Sequence, residues 1–568
     1  MNRVRVLRLG FFAFGLLILG QLFRIQVLGH DFYAALAEGQ HDLFRHLFPQ
    51  RGKIYAHDLA SGDQEYLLAT NTTLHLLYAE PFRLKDPQAA ARALAPILGE
   101  EEAAIAEKLS KKDERYHVLA RKLDDETHDR IEALGIEGIG FTEEDFRFYP
   151  EGSVGAQMLG FVGESERGRS GRYGIEGWFD KELAGAQGYL ESEKDPVGRA
   201  IAVGNRTVKP AKDGVDVVLT VDRTVQYVAC RKLEEWVARH GATRGSVVIL
   251  DPATGAVIAL CNAPTFDPNE YGKIDDVGVY NDTATFDAYE PGSVFKTITM
   301  AAGIDTDKVS PTTPFDDPGE VKIGPYTIRN SDLKAHGLVT MTEVLTESLN
   351  TGMVEVAHRL GAPTFLKYAR DFGFGQRPGL ELQSEAAGDI EPLERKGDIW
   401  SATASYGQGI TVTALQLAAA YAALANDGIM MKPYIIDEIR SPNGTIEKRT
   451  PKTVRRVVTE RTARLVSGML TAVVERGHGK RAGVPGYWIG GKTGTAQIAR
   501  RDGGVGYEVG ATIGSFAGYG PIDDPKFAMV VRIDRPKDVQ FAESSAAPLF
   551  GDIAKFLLDY YHVPPTRK

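Results

Sequence analysis

Three groups of residues in this chain carry side chains suited to acyl transfer, and they come in order along it. Ser293-Val294-Phe295-Lys296 is first, Ser348-Leu349-Asn350 second, and Lys492-Thr493-Gly494 third, with Thr495 next. A serine hydroxyl is a weak nucleophile at neutral pH and needs a base within reach. Three residues along a helix bring Ser293 and Lys296 onto one face. A lysine stripped of water binds its proton less tightly and can serve as that base. Each group alone is weak evidence, because short patterns of common residues recur by accident. Ser331-Asp332-Leu333-Lys334 repeats the first pattern and Ser441-Pro442-Asn443 the second.

The local sequence separates the copies. Glu290-Pro291-Gly292 before Ser293 is a helix-start signal, and Val294 to Ala302 is apolar enough for a buried helix. The Ser293 hydroxyl is therefore expected at a helix N-terminus, where backbone N–H groups favour developing negative charge. Ser331 runs instead into Ala335-His336-Gly337, a loop composition that leaves Lys334 in water. Ser348 and Asn350 end a helix-like Met341 to Glu347. Taken alone they read as capping groups, and only the order with the other two groups points to chemistry. Ser441-Pro442-Asn443-Gly444 is a turn.

Lys492 has a rival reading, because Gly486 to Thr493 fits the phosphate loop G-x-x-x-x-G-K-[ST]. That loop needs a buried strand before it and a helix opening at the lysine, yet Arg481-Ala482-Gly483-Val484-Pro485 precedes and Gly494-Thr495 follows. An edge strand fits better: Gly494 would let a substrate backbone approach, and the ammonium and hydroxyls of Lys492, Thr493 and Thr495 could hold a carboxylate.

The elements that must position these residues read as α+β. A chain of 568 residues exceeds one core. Residues 29–210 mix short β-rich pieces with a helical insert, one helix expected over Ala89 to Lys111 and another over Asp124 to Leu134. A new domain, 211–568, starts with an alternating strand whose Asp222 can cap a helix from Arg223 toward His240. A hairpin over Gly245 to Asn262, a second formed by Thr512 to Tyr519 and Phe527 to Ile533, and a helix over Ala546 to Tyr560 predict a mainly antiparallel sheet flanked by helices.

With 66 Lys+Arg against 76 Asp+Glu, net charge −10, there is no basic footprint for nucleic acid. Small molecules, proteins or a wall polymer remain as partners. Cys230 and Cys261 form no CxxC pattern and read as packing residues, their pairing left open. Arg3, Arg5 and Arg8 precede an apolar run from Leu9, an export signature. The run reaches spanning length only through Gln21, Arg24 and Gln26 to Leu28. The expectation is a cytoplasmic tail over 1–8, an uncleaved signal anchor over 9–28, and the rest outside the cytoplasmic membrane; a cleaved signal peptide is the alternative.

The ordered groups, with Arg51-Gly52-Lys53-Ile54-Tyr55, Arg147-Phe148-Tyr149-Pro150-Glu151-Gly152 and Gly174-Ile175-Glu176 with Phe179-Asp180, make the chain resemble a class B penicillin-binding protein, a monofunctional peptidoglycan D,D-transpeptidase. Tyr289-Glu290-Pro291-Gly292 and Ser405-Tyr406-Gly407-Gln408-Gly409 resemble the cell-division branch more than the elongation branch. The resemblance implies an elongated pedestal (dimerisation-like) domain over 29–210 and a transpeptidase domain over 211–568. It implies that Ser293, activated by Lys296, attacks the D-Ala-D-Ala carbonyl of a stem peptide. Ser348 with Lys492 relays the proton, and the N–H groups of Ser293 and Thr495 form an oxyanion hole. Thr493 and Thr495 bind the terminal carboxylate, while Asn350 orients the substrate amide and Lys296. Implied partners are glycan strands derived from lipid II, β-lactams as inhibitors, and a polytopic SEDS-type glycosyltransferase with other divisome or elongasome membrane proteins; neither cofactor nor metal is implied. A β-lactamase is disfavoured because no Glu-x-x-x-Asn lies between Thr351 and Lys492. An elongation-type enzyme and a silent penicillin sensor or scaffold stay as alternatives.

Overall fold

The computed structural model describes residues 2–24, 48–62, 64–165, 168–192, 206–500 and 506–567. The chain divides into two compact units whose segments alternate: Met1–Lys53, Thr70–Phe148 and Lys181–Val215 in one, Ile54–Ala69, Tyr149–Asp180 and Asp216–Lys568 in the other. Two stretches of the expected pedestal, 54–69 and 149–180, thus lie in the unit that carries the three motifs.

In the first unit, residues 70–79 pair antiparallel with strand Ile139–Phe148, from Thr70 opposite Phe148 to Ala79 opposite Ile139. Leu77, Leu94, Ile105, Leu119 and Ile131 form its core. The single helix expected over Ala89 to Lys111 is two, Pro87–Leu98 and Glu102–Leu109. Gly99 separates them at φ +68, its N–H bonded to the Ala95 carbonyl, a left-handed stop that glycine takes without steric cost. The helix expected after Asp124 forms over Asp125–Glu132, capped by Asp124 accepting from the Thr127 N–H at 2.8 Å. A helix covers Asn2–Phe23. Among the described residues no helix is long and apolar enough to cross a membrane, and the expected continuation through Gln26 to Leu28 lies outside them.

The second unit is built on helix α1 (Arg223–Arg239), strands β1 (Arg244–Leu250) and β2 (Val257–Ala263), helix α2 (Lys296–Asp305), hairpin strands β3 (Glu320–Ile323) and β4 (Tyr326–Arg329), helices α3 (Met341–Thr346), α4 (Asn350–Leu360), α5 (Ala414–Ala425) and α6 (Glu460–Arg476), strands β5 (Gly490–Ala499), β6 (Tyr507–Gly520) and β7 (Phe527–Asp534), and helix α7 (Ala546–Tyr560). Five strands make one sheet in the order β2-β1-β7-β6-β5, antiparallel throughout, with β5 at an edge. This is the mainly antiparallel α+β architecture expected.

Side chains alternate across a strand. Val247, Ile249, Met529, Val531 and Phe516 pack with Leu233 of α1 and Phe550 and Leu557 of α7, while α5 packs against β7, β1 and β6. Apart from Gln416 and Tyr421, α5 is all alanine and leucine and buried almost all round, the composition of a helix inside a core. Asp222 caps α1 as expected, accepting from the Val225 N–H at 2.9 Å. Cys230 of α1 and Cys261 of β2 are buried and joined as a disulfide with Cα atoms 5.1 Å apart, so the packing pair is also a covalent tie between helix and sheet.

Candidate active site

The turn bearing Ser293 depends on glycine. Gly292 has φ +59 and donates its N–H to the Gly407 carbonyl at 3.0 Å. A Cβ on Gly407 would lie 2.1 Å from the Gly292 oxygen, so the two backbones meet only because that atom is missing. From there a 3-10 turn, Gly292–Phe295, runs into α2, placing Ser293 half-buried at the helix start expected for it. Tyr421 of α5 secures this turn. Its hydroxyl donates to the Val294 carbonyl and takes a bond from the Thr297 hydroxyl, both at 2.8 Å. No motif pointed to Tyr421; the available signal was a phenol in an alanine-leucine helix, since a buried hydroxyl needs a partner.

Lys296 and Lys492 are both completely buried. They converge on Ser348. Lys296 Nζ donates to the Ser348 carbonyl at 2.5 Å and to Ser348 Oγ at 3.2 Å. Lys492 Nζ donates to the same Oγ at 3.0 Å and to the Thr493 carbonyl at 3.3 Å. Ser348 presents both oxygens because it sits at φ +57, a left-handed conformation uncommon outside glycine. Among the described residues neither lysine pairs with a carboxylate, and Ser293 Oγ makes no hydrogen bond to either. Bonds of this kind often tighten only when substrate is bound.

Burial, and then the neighbouring Lys492 charge, pushes Lys296 well below the ordinary lysine range. Burial brings Lys492 down to about 7, against the opposing pull of Glu347. Two ammonium groups sharing one acceptor without a counter-charge do not both keep their protons near neutrality. The cluster therefore favours release of a proton by one of the two lysines. Nearby, burial also raises Glu290, which accepts from the Gly409 N–H at 3.1 Å and from the Tyr507 hydroxyl at 3.2 Å.

The remaining expected residues fall in two groups. Thr493 is buried beside Lys492, and Thr495 is half-buried, its Oγ1 accepting from the Ala542 N–H at 3.0 Å. Gly494 has a further reason to be glycine: a Cβ there would lie 2.7 Å from the Pro291 carbonyl oxygen and 3.0 Å from Val294 Cγ1. The close approach it permits is that of β5 to the Ser293 turn. Asn350 departs from expectation. Its Nδ2 donates to the Arg329 carbonyl at 2.7 Å, and no hydrogen bond joins it to Lys296 among the described residues. The motif straddles the junction of α3 and α4 rather than ending one helix, which turns the amide away from the lysine. The duplicate motifs stay apart: Ser331 and Lys334 are exposed, Ser441 closes a turn with Gly444, and Lys492 lies within a strand rather than at a helix start.

A serine at the mouth of a buried helix, a lysine one turn along it, and a second lysine and serine completing the cluster are the groups that a serine acyltransferase requires. Residues 245–555 match the penicillin binding protein transpeptidase domain and residues 46–219 the penicillin-binding protein dimerisation domain, so the chain belongs to the penicillin-binding protein transpeptidases. It is 35% identical to stage V sporulation protein D of Bacillus subtilis over 91% of this chain and 79% of that one. It is 31% identical to the probable peptidoglycan D,D-transpeptidase PbpC of Pseudomonas aeruginosa over 88% of this chain and 85% of the relative. Among solved structures, penicillin binding protein 3 of Mycobacterium tuberculosis in complex with aztreonam superposes with TM-score 0.70 at 29% identity, covering 92% of this chain and 99% of that one.

Proposed function

We propose that this chain cross-links peptidoglycan stem peptides through an acyl-enzyme on Ser293, and that β-lactams inhibit it by acylating the same hydroxyl. The observation that carries this reading is the convergence of Lys296 and Lys492 on Ser348 beside the Ser293 turn. Lys296 takes the Ser293 proton as the hydroxyl attacks the D-Ala-D-Ala carbonyl, and Ser348 with Lys492 passes a proton to the departing D-alanine. The N–H groups of Ser293 and Thr495 hold the oxyanion, each such donor contributing about 3 kcal/mol in other acyl transferases. Thr493 and Thr495 receive the terminal carboxylate, and Asn350 meets the substrate amide. An amine of a second stem peptide then resolves the ester and completes the cross-link. Supporting this, the Pseudomonas relative is named a probable peptidoglycan D,D-transpeptidase and the Mycobacterium structure holds aztreonam.

The test is labelling with a fluorescent penicillin, followed by transfer onto lipid-linked glycan strands. Ser293→Ala is expected to abolish both, and Ser331→Ala neither. Labelling that persists in Ser293→Ala would reject the assignment, and labelling without transfer would favour a sensor.

The reading extends to place and partners. The arginines before the apolar N-terminal run support a single signal anchor with the catalytic unit outside the cytoplasmic membrane, and the Cys230–Cys261 disulfide supports an oxidising compartment. Protease added to intact spheroplasts is expected to digest the catalytic unit, and protection would count against this orientation. Ser405 to Gly409 supports a role in septal synthesis, for which depletion is expected to give filaments; rounded cells would point to elongation. The anchor's partner is a polytopic SEDS-type glycan polymerase, with Gln21, Arg24 and Gln26 as contact groups. Exchanging the span for an unrelated one is expected to abolish co-purification.

A further inference from the structure

Three buried polar side chains outside the motifs hold the turn that carries Ser348. Asp317, Asn330 and Thr351 are 2%, 1% and 0% exposed. Asp317 ends the strand Pro314–Asp317, Asn330 follows β4, and Thr351 is the second residue of α4. One oxygen of Asp317 accepts from Thr351 Oγ1 at 2.6 Å and from the Gly319 N–H at 3.1 Å. The other accepts from Asn330 Nδ2 at 2.8 Å and from the His336 N–H at 2.9 Å. Burial works to raise the carboxyl, but these four bonds outweigh it and keep Asp317 ionised below the ordinary range.

That network decides which way Asn330 points. Its amide nitrogen is committed to Asp317 and to the Lys334 carbonyl, the latter at 3.1 Å. Its oxygen consequently faces α4, accepting from the Asn350 N–H at 2.9 Å and the Thr351 N–H at 3.3 Å. Helix α4 has no cap of its own, since Leu349 occupies the N-cap position and offers no side-chain acceptor. Asn330, 20 residues earlier than Asn350, supplies that cap from another element. The neighbouring Arg329 carbonyl holds the Asn350 side chain.

Ser348 lies two residues before this anchored start. A serine at φ +57 keeps that conformation only where its surroundings over-determine it. On the other side, the Ser348 N–H bonds the Leu345 carbonyl at 3.3 Å and the Leu349 N–H the Val344 carbonyl at 2.9 Å, closing the end of α3. The α3 end and the Asn330 cap thus fix the turn from both directions. We propose that Asp317, Asn330 and Thr351 are positioning residues for acyl transfer, fixing the start of α4 so that Ser348 keeps its hydroxyl and carbonyl on the two lysines. The proposal rests on the reading that Ser293 acylation uses that cluster, which Ser293→Ala tests separately.

The experiment uses the full chain and stopped-flow reaction with a fluorescent penicillin, resolving the affinity of the non-covalent complex from the first-order acylation step. The labelled fraction and the unfolding midpoint are measured alongside. Asn330→Ala and Thr351→Val are expected to slow acylation by on the order of a hundredfold, the scale of displacing a reacting group by about an ångström, with little change in non-covalent affinity. Thr351→Ser, which retains the hydroxyl, is expected to restore most of the rate. A trio that merely held the fold would lower the midpoint or the labelled fraction and leave the first-order constant of the labelled molecules at the wild-type value. That result, or equal slowing by Thr351→Ser and Thr351→Val, overturns the proposal. Should Asn330→Ala fail to fold, the Thr351 pair decides. Loss of labelling in Ser293→Ala with wild-type acylation in Thr351→Val would reject the positioning role and leave the Ser293 reading intact.

Discussion

Ser293 to Lys296 and Ser331 to Lys334 have the same spacing and opposite fates. The first opens a buried helix and its lysine is wholly enclosed, whereas the second lies in an exposed turn with its lysine in water. The difference teaches that spacing alone does not make a nucleophile and base. Taking the ammonium out of water loosens the lysine's hold on its proton, and it takes a helix packed on α4 and α6 to do so.

The hardest test of that contrast is to remove each lysine. Lys296→Met should lower the acylation constant by at least about 10²–10⁴-fold, the range assigned to a positioned base, while Lys334→Met leaves it unchanged. Equal effects would mean that burial does not distinguish the copies.

The second test is pH. If Lys492 must carry a proton to serve the leaving group, acylation should fall as pH rises through about 7, and Lys492→Arg should remove that descending limb if it still acylates. The same depression has a stability signature of defined sign. The unfolded chain holds a proton on Lys492 that the folded chain has released between about 7 and 10.5, so this residue's contribution to stability rises with pH across that window. Lys492→Met should accordingly stabilise the fold at pH 7, by about 0.5–2 kcal/mol, with the advantage shrinking toward pH 10. Paired urea titrations would show it.

Third, Gly407→Ala forces a Cβ to 2.1 Å from the Gly292 oxygen and should cost about 1–3 kcal/mol or more, with slower acylation. Gly337→Ala, near the exposed copy, has φ +64 but nothing within 4 Å, so only backbone strain of about 1 kcal/mol is expected there. Fourth, Tyr421→Phe removes the hydroxyl bonded to Val294 and Thr297 and should destabilise by about 1–2 kcal/mol. A larger fall in acylation than in stability would show that the phenol sharpens the Ser293 turn as well as the core.

What the residues alone disclosed was what local sequence controls. The helix start at Ser293, the Asp222 cap, both hairpins and the edge position of Lys492 follow from capping, turn chemistry and alternation, and all are present. The helix break at Gly99 was also written locally, but regular alanine spacing on both sides masked it. Pairings distant in sequence were not accessible. Nothing near Ser348 announces that Asn330 caps α4, nothing near Gly494 that its missing Cβ faces Pro291, and nothing near Asn350 that Arg329 claims its amide. The alternation of segments between the two units is of the same kind, because strand pairing between remote segments leaves no periodic trace in either.

Among the described residues neither enclosed lysine is paired with a carboxylate, Glu347 reaching Lys492 only through its charge, and this imbalance works as a demand placed on the ligand. A molecule that brings an anionic group to Lys492 restores the ammonium's affinity for its proton, so near pH 7 binding and proton uptake from solvent become one event. Calorimetry in buffers of different ionisation enthalpy reads that uptake directly. On this view the anion is the key that sets the proton inventory of the cluster before any bond is made to Ser293.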